Sequence, residues 1–259
     1  MLGNDDAVSV AFGIASSVGD RAEQQDAAIA DKMAAGAYAV VCDGMGGHPG
    51  SRLCAFRAAA GVADYLKRAH LRPNRKHLAS YVMGLPRAVQ NELTALAADG
   101  NLNPQSATTL AAVLVQKGIV WLVTVGDCRC TVVRDGDVFE TTVPHNALAV
   151  AMRDNTEPAP EDRRSLATSV TRCLGPLQQL VPERVAVTAV PIEPGDAILI
   201  TSDGVHEVLS LPGMVEIVGA QFANGARVIA EALVDAAVRL ASPRADNATV
   251  VVLIIGADS

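Results

Sequence analysis

The chain has 259 residues, half of them apolar, and a formal net charge of −7. This length suits a single domain, and no linker rich in Pro, Gly and Ser divides it. The negative charge and the aromatic content of 3% argue against nucleic acid or a membrane surface as a partner. The apolar runs are too short to cross a bilayer. Five cysteines without paired spacing, and no basic leader at the start, predict a reduced cytoplasmic protein.

The first part of the chain predicts strands followed by two helices. Helical spacing of apolar residues covers Ser51 to Ala69, with the stripe Leu53, Phe56, Ala60, Ala63 and Leu66 expected to face inward. A second helix is predicted for Lys76 to Ala98, where Pro86 favours a kink or a break. Its inward residues are expected to be Leu78, Val82, Leu85, Val89 and Leu93. The strands that precede the helices are predicted at Val8 to Ser17, Ala27 to Ala30 and Ala37 to Cys42.

From Thr108 onward the pattern changes to short β-branched runs with a period of two, which is typical of strands. Four runs separated by short turns predict an antiparallel meander. The clearest hairpin turn is Arg134-Asp135-Gly136-Asp137. The four runs are Thr109 to Val115, Val120 to Val125, Thr131 to Arg134 and Val138 to Thr142.

The last part of the chain begins with a polar segment, at about residues 149–169, which we expect to form a surface flap. Two strands, two helices and a final strand follow. The predicted strands follow one another as hairpins, and the predicted helices are grouped in two blocks. This order indicates an α+β layered fold, because a doubly wound parallel sheet would need strands and helices in regular alternation. The strands are predicted at Arg184 to Val190, Ala197 to Ser202 and Ala248 to Ile255, and the helices at Leu211 to Val218 and Ala226 to Leu240.

Three carboxylates lie next to predicted buried strands. Asp43 and Asp203 each end a strand and precede a glycine, and Asp246 comes just before the last strand. Carboxylates that crowd together raise one another's pKa unless a cation lies between them. Mg²⁺ and Mn²⁺ are the ions that oxygen ligands of this kind prefer. The residues therefore predict a divalent metal site.

Six short motifs, in order along nearly the whole chain, resemble the metal-dependent protein phosphatase (PPM) family, the serine/threonine phosphatases of type 2C. Asp43-Gly44-Met45-Gly46-Gly47-His48 matches the family's D-G-[HM]-G-G-H turn. The other five motifs are Arg21 to Asp26, Ala107-Thr108-Thr109-Leu110, Gly126-Asp127-Cys128-Arg129, Ser202-Asp203-Gly204 and Asp246-Asn247-Ala248-Thr249. Any one of the six is weak alone, and the resemblance rests on all six in order.

The resemblance implies a four-layer α-β-β-α sandwich, in which two antiparallel sheets pack face to face between helices. It implies two Mn²⁺ or Mg²⁺ ions, with a possible third, at one end of the sandwich. The implied activity is hydrolysis of phosphoserine and phosphothreonine by attack of a metal-bridging hydroxide. Partners would be phosphorylated substrate proteins of a Ser/Thr kinase, and the protein would act in signalling as a monomer.

The same resemblance implies the roles of single residues. Arg21 would grip the substrate phosphate, Asp26 would orient metal-bound water, and Asp43 would bridge both ions. The metal ligands would all be oxygen donors, namely Asp43, the carbonyl of Gly44, Asp203, Asp246 and, for a third ion, Asp127. Supporting residues would be Asn247, Thr108 and His48, the last by bonding the glycine turn.

Two departures from the family pattern keep other interpretations open. Gln25 stands where many members carry a glutamate, and Cys128 stands where they carry a serine. Neither removes a carboxylate, but they leave room for a non-catalytic or weakly active phosphoprotein-binding regulatory module on the same fold. A metal-dependent hydrolase of small phosphate esters on an unrelated fold is a further alternative, which the complete motif series disfavours.

Some residues also have plainer interpretations. Asp127 equally suits a hairpin turn, because Gly-Asp is a good hairpin end. Arg21 has the alternative of an ordinary surface arginine. The pair Arg163-Arg164, within the polar segment, could steer acidic phosphopeptides, although a solvated face is the preferred interpretation.

Overall fold

The computed structural model describes residues 8–33, 36–46, 48–69, 75–178 and 185–256. Within these ranges the chain forms ten strands. In chain order the strands are β1 (Val10–Ser17), β2 (Asp26–Met33), β3 (Gly36–Asp43), β4 (Leu110–Gln116), β5 (Ile119–Val125), β6 (Arg129–Arg134), β7 (Asp137–Thr141), β8 (Ala186–Pro191), β9 (Ala197–Thr201) and β10 (Ala248–Ile255).

The described residues also form seven α-helices, which lie in three groups along the chain. None of these helices is long and apolar enough to cross a membrane. They are α1 (Ser51–Leu66), α2 (Arg75–Ala98), α3 (Ala147–Arg153), α4 (Pro160–Ala167), α5 (Asp203–His206), α6 (Leu211–Gln221) and α7 (Ala226–Ala241).

The strands form two five-stranded sheets, both antiparallel throughout. The first sheet has the order β1-β10-β9-β6-β7, and the second has the order β2-β3-β4-β5-β8. Helices α1 and α2 cover the outer face of the second sheet, and α5, α6 and α7 cover the outer face of the first. A third apolar cluster fills the space between the sheets. The expected four-layer α-β-β-α sandwich is therefore confirmed.

Strand β3 shows how the sequence builds these layers. Successive side chains of a strand point to opposite faces, so a strand buried on both faces needs a continuous apolar run. Tyr38, Val40 and Cys42 pack beneath the helices, while the small residues Ala37 and Ala39 face the other sheet. Every residue of β3 before Asp43 is buried. Asp43 is therefore the point at which the apolar strand reaches the edge of the sandwich.

The predicted meander is wrong, because its four strands belong to two different sheets. Strands β4 and β5 pair in the second sheet, and β6 and β7 pair in the first. The chain crosses between the sheets at Gly126-Asp127-Cys128. Gly126 has a φ of +105°, and a Cβ there would lie 2.7 Å from the Cγ2 atom of Thr109. A period of two predicts that a segment is a strand, but it does not indicate which sheet the strand joins. The crossing between the sheets therefore cannot be read from this pattern.

The predicted core residues are correct for helix α2 and only partly correct for helix α1. All five expected core residues of α2 are at most 1% exposed. Of the kink or break expected at Pro86, the break is absent, because one helix runs through this residue. In α1 the expected stripe is partly wrong, since Leu53 and Phe56 are 41% and 57% exposed. Its buried face consists mainly of small residues, which let the helix lie close to the sheet. They include Cys54, Ala55, Ala58, Ala59 and Gly61.

The remaining predicted elements agree with the structure to within a few residues. Of the strand predicted for Arg184 to Val190, residue Arg184 lies outside the described ranges, and β8 begins at Ala186. The polar segment contains the short helices α3 and α4.

A buried ion pair ties β6 to the turn before β9. Arg134 donates from Nε and Nη2 to the two carboxylate oxygens of Asp196, at 2.8 and 2.7 Å. The Asp196 side chain is only 1% exposed. The Arg134 guanidinium also lies 4.0 Å above the ring centre of Phe139. This bidentate pair fixes the turn at the end of the sandwich away from the carboxylates of the predicted metal site.

We expect Arg134→Ala to lower the free energy of unfolding by about 3 kcal/mol, because it leaves the Asp196 carboxylate buried without its counter-charge. Urea denaturation followed by circular dichroism measures the change. The matched control is Arg227→Ala, which removes an exposed pair with Glu231 and should leave the midpoint unchanged. Equal midpoints for the two variants would show that the Arg134 pair contributes no more than a surface pair.

Candidate active site

Five carboxylates meet at one end of the sandwich. Asp26 and Asp43 face each other across β2 and β3 in the strand register. Burial raises the pKa of Asp43 well above its usual range, and the charges of Asp203, Asp26, Asp127 and Asp246 add to the shift, in that order. Such shifts require the carboxylates to be close neighbours. The structure thus brings together every aspartate of the predicted metal site.

The end of β3 is held by backbone and hydroxyl groups of the strand beside it. Thr108 Oγ1 and Thr109 N both donate to the carbonyl oxygen of Asp43, at 2.9 and 2.8 Å. Asp43 N in turn donates to Thr109 Oγ1 at 2.9 Å. Thr108 is itself paired through its backbone with Leu174. These bonds fix the backbone of Asp43, so its carboxylate is directed without using any of its own oxygens.

Gly44 lies where only glycine fits. Its N–H donates to the carbonyl of Gln25 at 3.1 Å, and a Cβ at this position would lie 2.6 Å from the carbonyl oxygen of Ser51. The backbone can therefore approach the carboxylates closely, and the Gly44 carbonyl belongs to the same rim. In the turn that follows, Gly47 lies outside the described residues. His48 is exposed, and its backbone N–H donates to Met45 O at 3.3 Å.

Asn247 holds the loop that carries Arg21. Its Nδ2 donates to the carbonyls of Val18 and Glu23, at 2.9 and 3.0 Å, while its Oδ1 accepts from Gln25 N at 2.8 Å. The residue is only 6% exposed. One buried amide therefore closes the loop against the start of β10.

Arg21 extends over the carboxylates from this loop. Its Nη2 donates to Asp246 Oδ2 at 2.5 Å, and the other oxygen of Asp246 accepts from Asn247 N at 2.8 Å. The Arg21 side chain remains 59% exposed. An exposed guanidinium at the edge of an anionic cluster is available to a ligand that approaches from solvent.

Ser202 is a positioning residue that the sequence analysis did not single out. The residue is fully buried, and its Oγ donates to Asp26 Oδ2 at 2.8 Å while accepting from Thr249 N at 2.9 Å. Next to Asp203, the position of Gly204 leaves no room for a side chain, since a Cβ would lie 2.1 Å from the carbonyl oxygen of Asn247. The Ser-Asp-Gly motif thus joins the two sheets at the site.

Burial governs the protonation of these groups. It raises the pKa of Asp26 to about 6 and that of Asp127 to about 7, with the charge of Asp203 adding to both shifts. The pKa of Asp203 is raised by burial and by the charge of Asp246. Glu207, absent from the predicted site, has its pKa raised to about 7 by burial and by the charge of Asp203. The cluster therefore favours any ligand that brings positive charge.

The residues fit a divalent cation. Asp26 Oδ1 and Asp127 Oδ1 are buried atoms without a hydrogen-bond partner among the described residues, and carboxylate oxygens left in this way are ready to bind an ion. Within the described ranges, no three His, Cys, Asp or Glu residues could hold an ion by themselves. A cation here would complete its ligands with the Gly44 carbonyl and water, as Mg²⁺ commonly does.

Two neighbouring cavities open at this end of the molecule. The first, of about 340 Å³, is lined by Arg21, Asp43, Gly44, Asp203 and Asp246 among others. The second, of about 900 Å³, shares Arg21, Asp203 and Asp246 with the first. We call the second cavity the arginine cleft, because Arg129, Arg163, Arg164 and Arg244 also line it.

The predicted flap segment forms one wall of the arginine cleft, and His145 anchors its start. His145 Nδ1 accepts from the backbone N–H of Gly126 at 3.1 Å, and the backbone N–H of His145 donates to the carbonyl oxygen of Gly126 at 2.8 Å. Burial lowers the pKa of His145 to about 4. The ring is therefore neutral near pH 7, as the Nδ1 acceptor requires. The flap is thereby fixed to the crossover that carries Asp127.

Comparisons with known proteins agree with this architecture. No curated protein matches the chain. Among solved structures, the PPM Ser-Thr phosphatase MsPP from Mycobacterium smegmatis, in complex with cacodylate, is 26% identical with a TM-score of 0.67, covering 96% of this chain and 100% of that one. The catalytic domain of PstP, in complex with two manganese ions, is 24% identical with a TM-score of 0.78, covering 97% and 100%. Stp1 from Staphylococcus aureus is 19% identical with a TM-score of 0.78, covering 97% of each chain.

The sequence comparison is more specific than the shared fold. The sequence model of the protein phosphatase 2C family matches residues 15–241. This range includes four of the five carboxylates of the site, and Asp246 lies just beyond it. The chain belongs to the protein phosphatase 2C family of metal-dependent phosphatases.

Proposed function

We propose that the protein hydrolyses phosphoserine and phosphothreonine in phosphorylated proteins and that the reaction depends on Mn²⁺ or Mg²⁺. The convergence of five carboxylates, of which Asp127 is buried and the Asp246 side chain is 37% exposed, beside an exposed arginine carries the proposal. When bound, two such ions supply a Lewis acid and an activated water to phosphate hydrolysis. The PstP structure with two manganese ions supports this cofactor.

The chain's own residues supply binding and orientation. Asp43, Asp203 and Asp246, with the carbonyl of Gly44, would hold the ions. Asp26 lies opposite Asp43 and keeps one oxygen without a hydrogen-bond partner in the described structure, so it is placed to hold a proton or orient water.

Arg21 would bind the substrate phosphate through its planar guanidinium, which suits two phosphate oxygens. Asn247 would keep it in place through the loop contacts, and Thr108 would fix the backbone of Asp43. His48 would support the glycine turn through its backbone.

We further propose that the substrates are products of a Ser/Thr kinase and that the protein works as a monomer in cytoplasmic signalling. The cysteines support a reducing compartment, because Cys42, Cys54, Cys128 and Cys130 are buried in the core and form no disulfide among the described residues.

The first test is metal-dependent turnover of a phosphothreonine peptide. Phosphate release should stop in excess chelator and return with Mn²⁺ better than with Ca²⁺, which prefers more ligands and longer bonds. Asp43→Asn should be inactive with every ion. Undiminished release in chelator would contradict the proposal, and peptide binding without any release would identify a non-catalytic phosphoprotein-binding module.

The second test separates phosphate binding from chemistry. Arg21→Ala should mainly raise KM, by the roughly 1.5–3 kcal/mol that a charge-assisted hydrogen bond contributes. Asp203→Ala should instead reduce kcat strongly, because it removes a metal ligand. Steady-state kinetics on one phosphopeptide measures both. An unaltered KM for Arg21→Ala would remove this residue from the phosphate site.

The third test concerns Asp127, which we propose as a ligand of a third, weakly bound ion. Asp127→Asn keeps the shape of the side chain but removes its negative charge. We expect a reduced kcat and a higher Mn²⁺ concentration at half activity. Normal kcat at every Mn²⁺ concentration would make Asp127 a residue of the crossover only.

The same variant has a stability signature in the absence of metal. The folded pKa of Asp127, about 7, lies above the unfolded value, so its favourable contribution is present at low pH and is lost as pH rises through 7. His145 shifts in the opposite direction and is already neutral above pH 6.5. In chelator, the Tm should therefore fall between pH 6.5 and 8.5, and Asp127→Asn should reduce that fall. An equal fall in both proteins would contradict the raised pKa.

A further inference from the structure

We propose that the arginine cleft binds a second anionic side chain of the substrate, so that the preferred substrates carry an acidic or phosphorylated residue near the phosphoresidue that is hydrolysed. The inference rests on the proposed function. It assigns the chemistry of substrate selection to a cavity outside the carboxylate site.

The first argument is continuity. Arg21, Asp203 and Asp246 line both cavities, so a peptide whose phosphate lies against Arg21 has the arginine cleft directly beside it. The cleft volume of about 900 Å³ is far more than a single phosphate needs. There is room for neighbouring side chains of an extended peptide.

The second argument is unneutralised positive charge. Among the described residues, neither Arg164 nor Arg244 forms an ion pair. Arg163 contacts Glu157 at 2.8 Å, but both side chains are largely exposed, so an incoming anion can replace this weak pair. The Nε of Arg129 is buried and finds no hydrogen-bond partner within the described part of the chain. A buried donor in this state is costly, and an anionic ligand would satisfy it.

The arginines also converge on one region. Arg129 lies on β6 and Arg164 lies on α4 in the flap, and both line the cleft. Both act electrostatically on the same carboxyl group, because each lowers the pKa of Glu207. Two guanidinium groups that approach one point from different elements can bind one anion together.

Acidic residues on the lining do not cancel this charge. The carboxylates there are Asp127, Asp203, Glu207 and Asp246, which form or adjoin the site proposed to bind cations. Cations bound by Asp127, Asp203 and Asp246 would neutralise these three carboxylates. The arginines of the flap and of the segment after α7 would then dominate the charge of the cleft.

The flap presents its arginines from a fixed position. Asn146 caps α3 by accepting from Ala149 N at 2.9 Å, and its Nδ2 donates to Ala167 O at the end of α4 at 2.8 Å. Ala147 N donates to Ser169 O at 2.9 Å, which closes the segment on itself. Arg163 and Arg164 are both exposed, as the interpretation of a solvated face expects, and both also line the cleft.

Apolar side chains complete the lining. Three apolar residues line the cleft with the arginines, namely Leu148 of α3, Val208 after α5 and Leu240 of α7. The side chain of Leu240 is 66% exposed. Such a mixture suits a peptide better than a free inorganic anion, because apolar surface offers nothing to phosphate. The cleft therefore fits an anionic residue that is part of a polypeptide.

The test compares three phosphothreonine peptides of equal length, with neutral flanking residues, with glutamates, or with a second phosphothreonine. The measured quantity is the kcat/KM of each anionic peptide divided by that of the neutral one. We expect a ratio of about 10 for the wild-type protein, falling with added salt because the contacts are exposed. The peptide with the larger ratio shows whether carboxylate or phosphate is preferred.

The double variant Arg164→Gln/Arg244→Gln should bring the ratio to within about twofold of one. Both residues are exposed, so folding should be retained, and a ratio cancels any general loss of activity. The matched control is Arg153→Gln, an exposed arginine of α3 that pairs with Asp154 and does not line the cleft. The control should keep the wild-type ratio.

A ratio near one in the wild-type protein, or an equal ratio in the double variant, would overturn the inference while leaving the phosphatase activity intact. Mn²⁺-dependent hydrolysis of the neutral peptide tests the proposed function separately. If no peptide is hydrolysed, the same ratio is taken from dissociation constants of fluorescent peptides measured by anisotropy. Equal affinity for neutral and anionic peptides would then overturn the inference.

Discussion

The mutual repulsion of carboxylates at one edge of the sandwich is the constraint on which the rest of the site depends. Asp26 and Asp43 lie directly opposite each other on paired strands, and Asp203 and Asp127 enter from the other sheet and from the crossover. Like charges so close and so poorly hydrated destabilise the fold unless protons or cations neutralise them. Protons or cations at this edge of the sandwich would relieve the repulsion.

The scaffold tolerates this cluster because neutral groups, and not further charges, hold it in place. Thr108, Thr109, Ser202 and Asn247 donate to or accept from backbone and carboxylate atoms around the site, and all four are buried. Hydroxyl and amide groups fix geometry without adding to the charge balance. Asp26 and Asp127 each keep a buried oxygen without a hydrogen-bond partner among the described residues. The apolar clusters on both sides of each sheet supply the stability that the site lacks.

Much of the fold and of the carboxylate site could be predicted from the sequence. The buried run before Asp43 predicts both a strand and its end, and a glycine behind the carboxylate predicts a close backbone approach. The crossover at Gly126 could not be predicted, because strand periodicity carries no information on which sheet a strand joins. The exposed Leu53 and Phe56 of α1 show a second limit, since small residues allowed a closer contact than the larger apolar side chains. Ser202 and the arginine cleft depend on long-range contacts, which local patterns do not contain.

The contact between Arg21 and Asp246 shows that the proposed cation site and the proposed phosphate site would not be independent. The guanidinium and a divalent ion are both attracted to the same carboxylate, so each weakens the hold of the other on Asp246. A phosphate group is attracted both to the guanidinium of Arg21 and to a divalent ion, and it can draw Arg21 away from Asp246. By linkage, any ion that competes with Arg21 for Asp246 makes the arginine more available to phosphate, and phosphate bound to Arg21 makes Asp246 more available to the ion. Within the described structure Arg164 and Arg244 form no ion pair and Arg163 forms only an exposed one, so their charge is left for recognition. The division between Arg21 and these three arginines thus follows from which of them pairs directly with the carboxylate cluster.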